Sequence, residues 1–179
     1  MNTKIPEVKF KKENLLIAFT DLSNFFSIFS TKSDQEMMNY LSWFYETTGD
    51  CIEEGGGRVV KFEGDSALIV IPEEHIDEGI RAMIKMKKTV DELNREKGYK
   101  SRLKMQAHFG SVLTANLGTR KVKSFDIAGN TVNIAARLKA TGFTITPETF
   151  RKLKPETRKL FKKHTPPVSY IGVNERHKD

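Results

Sequence analysis

Leu15-Leu16-Ile17-Ala18-Phe19-Thr20-Asp21 is an apolar run closed by a carboxylate. Residues 14–20 do not alternate as a half-buried strand would. Their unbroken apolarity is that of a strand covered on both faces. A second carboxylate, Asp65, follows in Lys61-Phe62-Glu63-Gly64-Asp65, between the β-rich segments 58–62 and 66–71. Gly64-Asp65 suits a two-residue type II′ hairpin turn, with glycine at the first central position. If the hairpin pairs with the first strand, Asp21 and Asp65 reach the same rim of a sheet. Two acids at strand ends are a suitable seat for divalent cations, which take one or two carboxylates plus phosphate oxygens.

Outward from these strands the period changes to that of helices. Met37, Met38, Leu41, Phe44, Tyr45, Thr48, Cys51 and Ile52 recur at helical spacing, and Gly55-Gly56-Gly57 stops the run. Pro72 ends the second hairpin strand, and Ile80, Met83, Ile84, Val90 and Leu93 mark another helix ending near Gly98. Residues 103–109 and 112–117 read as strands joined by a turn at Gly110-Ser111, and residues 124–127 as a short strand. A helix is expected over residues 131–139, extended chain over 144–146, and a further helix beginning at Pro147. The order β-α-β-β-α-β-β predicts an α+β fold. Its core is a ferredoxin-like split β-α-β, a mainly antiparallel sheet with helices packed on one face.

At 179 residues, with 38% hydrophobic and 30% charged residues, the chain reads as one globular domain over residues 1–179. Its motif-bearing core spans about residues 14–150, followed by a basic segment over 151–179. No apolar stretch approaches the roughly 20 residues that span a bilayer. The first residues lack a signal-peptide layout. Cys51 is the single cysteine, so no intrachain disulfide forms and a cytoplasmic, reducing location is expected. The net charge of +7 favours anionic partners. The cluster Arg151, Lys152, Lys154, Arg158, Lys159, Lys162 and Lys163 reads as a solvated helix face. Aromatics are not interleaved with it, which argues against nucleic acid.

A third stretch joins the two acids: Asp126-Ile-Ala-Gly-Asn-Thr-Val-Asn133-Ile-Ala-Ala-Arg137. Asn133 and Arg137 are four apart and project from one helix face. Arginine offers a planar fork of donors to phosphate, and asparagine offers both donor and acceptor to a sugar or ring. Each residue also has an ordinary reading alone. Asp21 could cap a following helix, Lys61 could be an outward strand residue, and Asn133 with Arg137 could be a polar stripe. Together they point to phosphoryl-transfer chemistry on a nucleoside triphosphate.

The ordered set Phe-Thr-Asp21-Leu, Lys61-Phe-Glu-Gly-Asp65-Ser-Ala and Phe-Asp126-Ile-Ala-Gly-Asn-Thr-Val-Asn133-Ile-Ala-Ala-Arg137-Leu resembles the catalytic domain of class III nucleotidyl cyclases. The resemblance runs from about Leu15 to Thr149 and includes His108-Phe-Gly-Ser-Val112 and Leu117-Gly118. It implies that Asp21 and Asp65, with the Leu22 carbonyl, hold two divalent cations, Mg²⁺ or Mn²⁺. It implies that Asn133 orients the ribose, Arg137 stabilises charge on the α-phosphate, and Lys61 with Asp126 reads the purine. Asn24, Phe25 and Phe26 fall where the family meets the triphosphate. In that family two chains pack head to tail and each contributes half of a site, so a homodimer acting on ATP is expected. The alternative is a weak or inactive cyclase-like domain that binds nucleotide.

The sequence departs from the family pattern in three places. Asn24 and Phe26 replace the usual Gly and Thr. Glu63 stands where an apolar residue is commoner, and it is expected to point across the hairpin. The family's last strand follows a base that grips the terminal phosphates. Here residues 168–173 read as the penultimate strand, with Arg176 and Lys178 the nearest bases. A diguanylate cyclase of the GGDEF type is a poorer match, because Glu63-Gly64-Asp65-Ser66-Ala67 lacks its second glycine and second acid.

Overall fold

The computed structural model describes residues 5, 7–139, 142–165 and 167–175. The first strand, β1 (Lys11–Leu22), leads through α1 (Phe25–Phe29) into the long α2 (Asp34–Glu54). The hairpin β2 (Arg58–Glu63) and β3 (Ser66–Pro72) precedes the long α3 (Ile76–Glu96). Then come β4 (Leu103–Gly118), β5 (Lys123–Ala128), α4 (Asn130–Arg137) and β6 (Phe143–Ile145). The chain continues through α5 (Pro147–Lys152), α6 (Pro155–Arg158), β7 (Phe161–His164) and β8 (Ser169–Gly172).

The strands form one sheet in the order β2-β3-β1-β4-β6-β8-β7, with β5 pairing the distal half of β4. Among the described residues only the β4–β6 pairing is parallel. This is the expected α+β class with a mostly antiparallel sheet. Alternate residues of β1 explain its apolarity. Leu16, Ala18 and Leu22 join Ile69, Ile71, Leu103, Met105 and Ala107 beneath α2 and α3. Leu15 and Ile17 join Leu68, Val70, Val112, Ile127 and Ala135 on the opposite side. The two long helices thus share one face, and the short α4 covers part of the other.

Helix α2 starts with a capping box: Glu36 N–H donates to Ser33 Oγ, and Ser33 N–H donates to Glu36 Oε2. It buries Tyr40, Phe44, Thr48, Cys51 and Ile52, while Met38 is 60% exposed. The buried Tyr40 hydroxyl donates to Asn94 Oδ1 of α3 at 2.8 Å, and burial pushes its pKa up to about 12. Among the described residues no helix is long and apolar enough to cross a membrane.

Two local expectations are corrected. The turn at Gly110-Ser111 does not exist, because β4 runs unbroken against β1 from Leu103 to Thr114. Glycine serves close packing here: a Cβ at Gly110 would stand 2.9 Å from Thr131 Oγ1 and 3.1 Å from its Cγ2. Thr131 Oγ1 in turn donates to the Ser111 carbonyl, seating α4 on the strand. The basic cluster, likewise, is not one helix face. It is spread over α5, α6 and β7, with Arg151 paired to Glu148, Lys152 to Glu73 and Lys154 to Glu78. Lys162 and Lys163 lie on β7, an edge strand of the sheet, where charge discourages edge-to-edge pairing.

Gly110→Ala is therefore expected to destabilise the fold. Overpacking costs about 1–3 kcal/mol, more than the roughly 0.5–1 kcal/mol that alanine gains over glycine in a strand. Denaturant unfolding of Gly110→Ala and of Gly110→Ala/Thr131→Ala tests this, the second variant recovering part of the loss.

Candidate active site

Pairing of β1 with β3 runs to Thr20 opposite Ala67, which brings Asp21 beside the hairpin turn. Ser66 Oγ donates to Asp21 Oδ1 at 3.1 Å. Gly64 takes φ +58° while Asp65 does not enter the left-handed region, as a type II′ turn requires. The turn is held from α2: Tyr45 stacks on Phe62 with centroids 3.9 Å apart, and its hydroxyl donates to the Gly64 carbonyl at 2.8 Å. Asp65 is partly buried, and burial pushes its pKa up, with the Asp21 charge adding to the rise. Its own N–H and that of Leu22 pull the other way without cancelling it. Two carboxylates held together against their repulsion are suited to a hard cation, which would offset both the burial and the repulsion. Among the described residues no group of three or more His, Cys, Asp or Glu stands together, so substrate oxygens would have to complete a metal shell.

Lys61 and Asp126 come from β2 and β5 and meet at 2.8 Å. Asp126 Oδ1 also accepts the Ile127 N–H at 2.9 Å. Burial would raise the Asp126 pKa, but Lys61 and the Ile127 N–H outweigh it and hold the carboxyl below its ordinary value. Arg58, lying 3.9 Å over the Phe125 ring, ties the same two strands. Asn133 and Arg137 are exposed on α4, and neither side chain has a hydrogen-bond or ion-pair partner among the described residues. Ala135 anchors the helix, and Gln106 Nε2 donates to the Ala136 carbonyl at 3.3 Å. The helix begins over Ser111 and ends over Gln106, which faces Phe19 of β1. Asp21, Lys61, Asn133 and Arg137 therefore share the sheet face away from α2 and α3.

The residues after Leu22 have partners of their own within the fold. Asn24 Nδ2 donates to the Lys100 carbonyl at 2.9 Å. The Phe25 ring packs on Phe29, 4.7 Å between centroids, and on Tyr40, while Phe26 is 84% exposed. Glu63 does not point away across the hairpin. It pairs in register with Ser66 and lines a recess with Lys61, on the Asp21 side. Period-2 alternation from Lys61 would have shown this.

Lys104 was not singled out from sequence. It stands directly opposite Asp21 in the β1–β4 register, half-buried and without an ion-pair partner among the described residues. In sequence it is one polar position in an alternating strand, and only strand register reveals its neighbour. Arg176 and Lys178 lie outside the described residues.

The recess bordered by Phe19, Lys61, Glu63 and Ser66 measures about 70 Å³, far below the roughly 300 Å³ of a small-molecule pocket. A larger open groove of about 830 Å³ lies on the other side of Ser23-Asn24, between α3 and residues 98–102. That groove contains none of Asp21, Lys61, Asp65, Asp126, Asn133 or Arg137.

Known proteins give this geometry a family. The sequence model of the adenylate and guanylate cyclase catalytic domain matches residues 8–171. A receptor-type guanylate cyclase of Caenorhabditis elegans is 28% identical over 150 residues, covering 79% of this chain and 14% of that protein. Adenylate cyclase 1 of Rhizobium meliloti is 23% identical over 136 residues, covering 71% of this chain and 20% of that protein. The chain thus spans a minor part of these relatives' length. The adenylyl cyclase CyaB from P. aeruginosa has the same fold, with a TM-score of 0.80 over 94% of this chain and 98% of that chain at 17% identity. The guanylyl cyclase Cya2 follows at 0.73, covering 89% of this chain and 91% of that chain at 19% identity. Relatives of both nucleotide specificities share the fold, and the match over residues 8–171 settles the family: this chain belongs to the adenylate and guanylate cyclase catalytic domains.

Proposed function

We propose that this domain converts ATP to 3′,5′-cyclic AMP and pyrophosphate at composite sites of a head-to-tail homodimer. The reading of the base rests on the 2.8 Å Lys61–Asp126 pair, which presents one donor and one acceptor side by side. Adenine offers the matching acceptor at N1 and donor at the 6-amino group. Guanine reverses both, setting O6 and N1–H against like partners. An exposed ion pair of this kind is worth only about 0–1 kcal/mol, so an entering base can rearrange it at small cost. Each mismatched buried group costs about 1–3 kcal/mol, so complementarity to the base decides.

Asp21, Asp65 and the Leu22 carbonyl would hold Mg²⁺ or Mn²⁺. Bound there, the metal would supply Lewis acidity, lowering the pKa of the ribose 3′-hydroxyl and neutralising phosphate charge. The 3′ oxygen bonds to the α-phosphorus, the bond to the bridging oxygen breaks so that pyrophosphate leaves with its electron pair, and the hydroxyl proton passes to solvent water. No side chain acts as nucleophile. Arg137 of one subunit would donate to the α-phosphate as charge builds there, and Asn133 would orient the ribose. Lys104, opposite Asp21, is suited to the outer phosphates. The small recess on a single chain supports a site completed by a second copy.

Product chromatography after incubation with ATP or GTP, each with Mn²⁺ or Mg²⁺, tests this reading. Cyclic AMP is expected from ATP and none from Asp65→Ala. Absence of cyclic product from a confirmed dimer would favour a nucleotide-binding domain without turnover.

Exchanging the base-reading polarity with Lys61→Glu/Asp126→Asn is expected to move the ATP-to-GTP preference at least about tenfold toward GTP. An unchanged ratio of kcat/KM would remove the pair from base recognition.

The raised Asp65 pKa gives a signed stability prediction. The native state binds more protons than the unfolded chain between the ordinary and raised values, so stability falls as pH rises through that window. Above it the charged Asp65 is a constant cost. Asp65→Asn is therefore expected to raise the Tm of metal-free protein at neutral pH. Added Mn²⁺ should raise the Tm of the wild type but not of the variant.

A further inference from the structure

Where β1 ends at Leu22, the chain must turn sharply into α1. It does so through Asn24, at φ 60° and ψ 18°, the one residue other than glycine with a left-handed φ among the described residues. A side chain with a Cβ is strained there, and asparagine is among the few residues that tolerate it. Glycine would adopt this backbone freely, so the turn alone does not call for asparagine.

The side chain has a second use. Asn24 Nδ2 donates to the Lys100 carbonyl at 2.9 Å, across 76 positions of sequence. Ser23 reinforces the tie, its N–H donating to the Arg102 carbonyl at 3.0 Å while Arg102 N–H donates to Ser23 Oγ at 2.9 Å. Residues 100–102 lead directly into β4, and two positions beyond Arg102 stands Lys104, opposite Asp21. On its other side Asn24 accepts the Ile28 N–H through its carbonyl, fixing the start of α1. Three hydrogen bonds thus lock the turn after Asp21-Leu22 to the entry of β4.

We propose that Asn24 is a positioning residue for the metal-holding end of β1. It acts through the Leu22 carbonyl and the α1 entry by clipping the turn to Lys100. The proposal rests on the reading of Asp21, Leu22 and Asp65 as the metal seat. The Asn24 side-chain amide is thereby committed to the protein, which leaves the expected contact of residue 24 with the triphosphate to its backbone. The clip is open to solvent along the groove beside α3, so its loss moves the site without dismantling the core.

Asn24→Gly keeps the left-handed backbone and removes the clip. Asn24→Asp keeps both the shape and the left-handed tolerance but cannot donate to a carbonyl. Mn²⁺ binding is read by electron paramagnetic resonance on the full chain without nucleotide, beside hydrogen exchange of residues 98–102. Both variants are expected to raise the Mn²⁺ half-saturation concentration about three- to tenfold, the size of one exposed hydrogen bond. Amides at 100–102 should exchange faster, with the Tm within a few degrees of the wild type. Ser23→Ala should act in the same direction. Wild-type Mn²⁺ binding in Asn24→Gly and Asn24→Asp would overturn the positioning role. Mn²⁺ binding that survives Asp65→Ala would instead overturn the metal reading itself.

Discussion

The antiparallel pairing of β1 with β3 on one side and β4 on the other sets everything that follows at the candidate site. Register alone brings Asp21 next to Ser66 and the Gly64-Asp65 turn, and across from Lys104. A one-residue slip would turn Asp21 to the face of α2 and α3 and expose Leu16 and Ala18. The buried apolar alternation on both faces of β1 makes such a slip costly. The strand that centres the fold is thereby the strand that aims the Asp21 carboxylate.

The two faces of the sheet divide the labour. The face under α2 and α3 holds the larger apolar cluster, joined by Phe143, Leu153 and Phe161 from the C-terminal elements. The other face has a small cluster capped by α4, and around it stand the polar side chains with chemistry to offer. Gly110 is the hinge of that arrangement, because its missing Cβ lets Thr131 seat the helix that presents Asn133 and Arg137. Asp65 pays the electrostatic cost of the design, since burial and Asp21 both disfavour its charge. Such tension between stability and charge is common at functional sites.

Much of this was legible from residues. The apolar run before Asp21, the Gly64-Asp65 turn and the helical spacing of Asn133 and Arg137 each carry a local physical signal, and all three elements are present. What failed was non-local. Gly110-Ser111 has the composition of a turn, yet the glycine answers to Thr131, twenty-one positions on. Glu63 and Lys104 owe their neighbours to strand register, which no local pattern states. β7 was invisible because Phe161-Lys-Lys-His164 has charges where a central strand would have apolar residues. The Asn24 side-chain amide likewise reaches Lys100, a partner that only the folded chain brings near.

In the proposed dimer one subunit's acids work with another subunit's Asn133 and Arg137. Mixing purified Asp65→Ala with purified Arg137→Ala tests it most directly, with each variant inactive alone. Random exchange makes half the dimers mixed, and each mixed dimer has one intact site of two. The mixture is therefore expected to recover about one quarter of wild-type activity, given a two-fold dimer. No recovery despite demonstrated subunit exchange would contradict the composite site and place the whole reaction within a single chain.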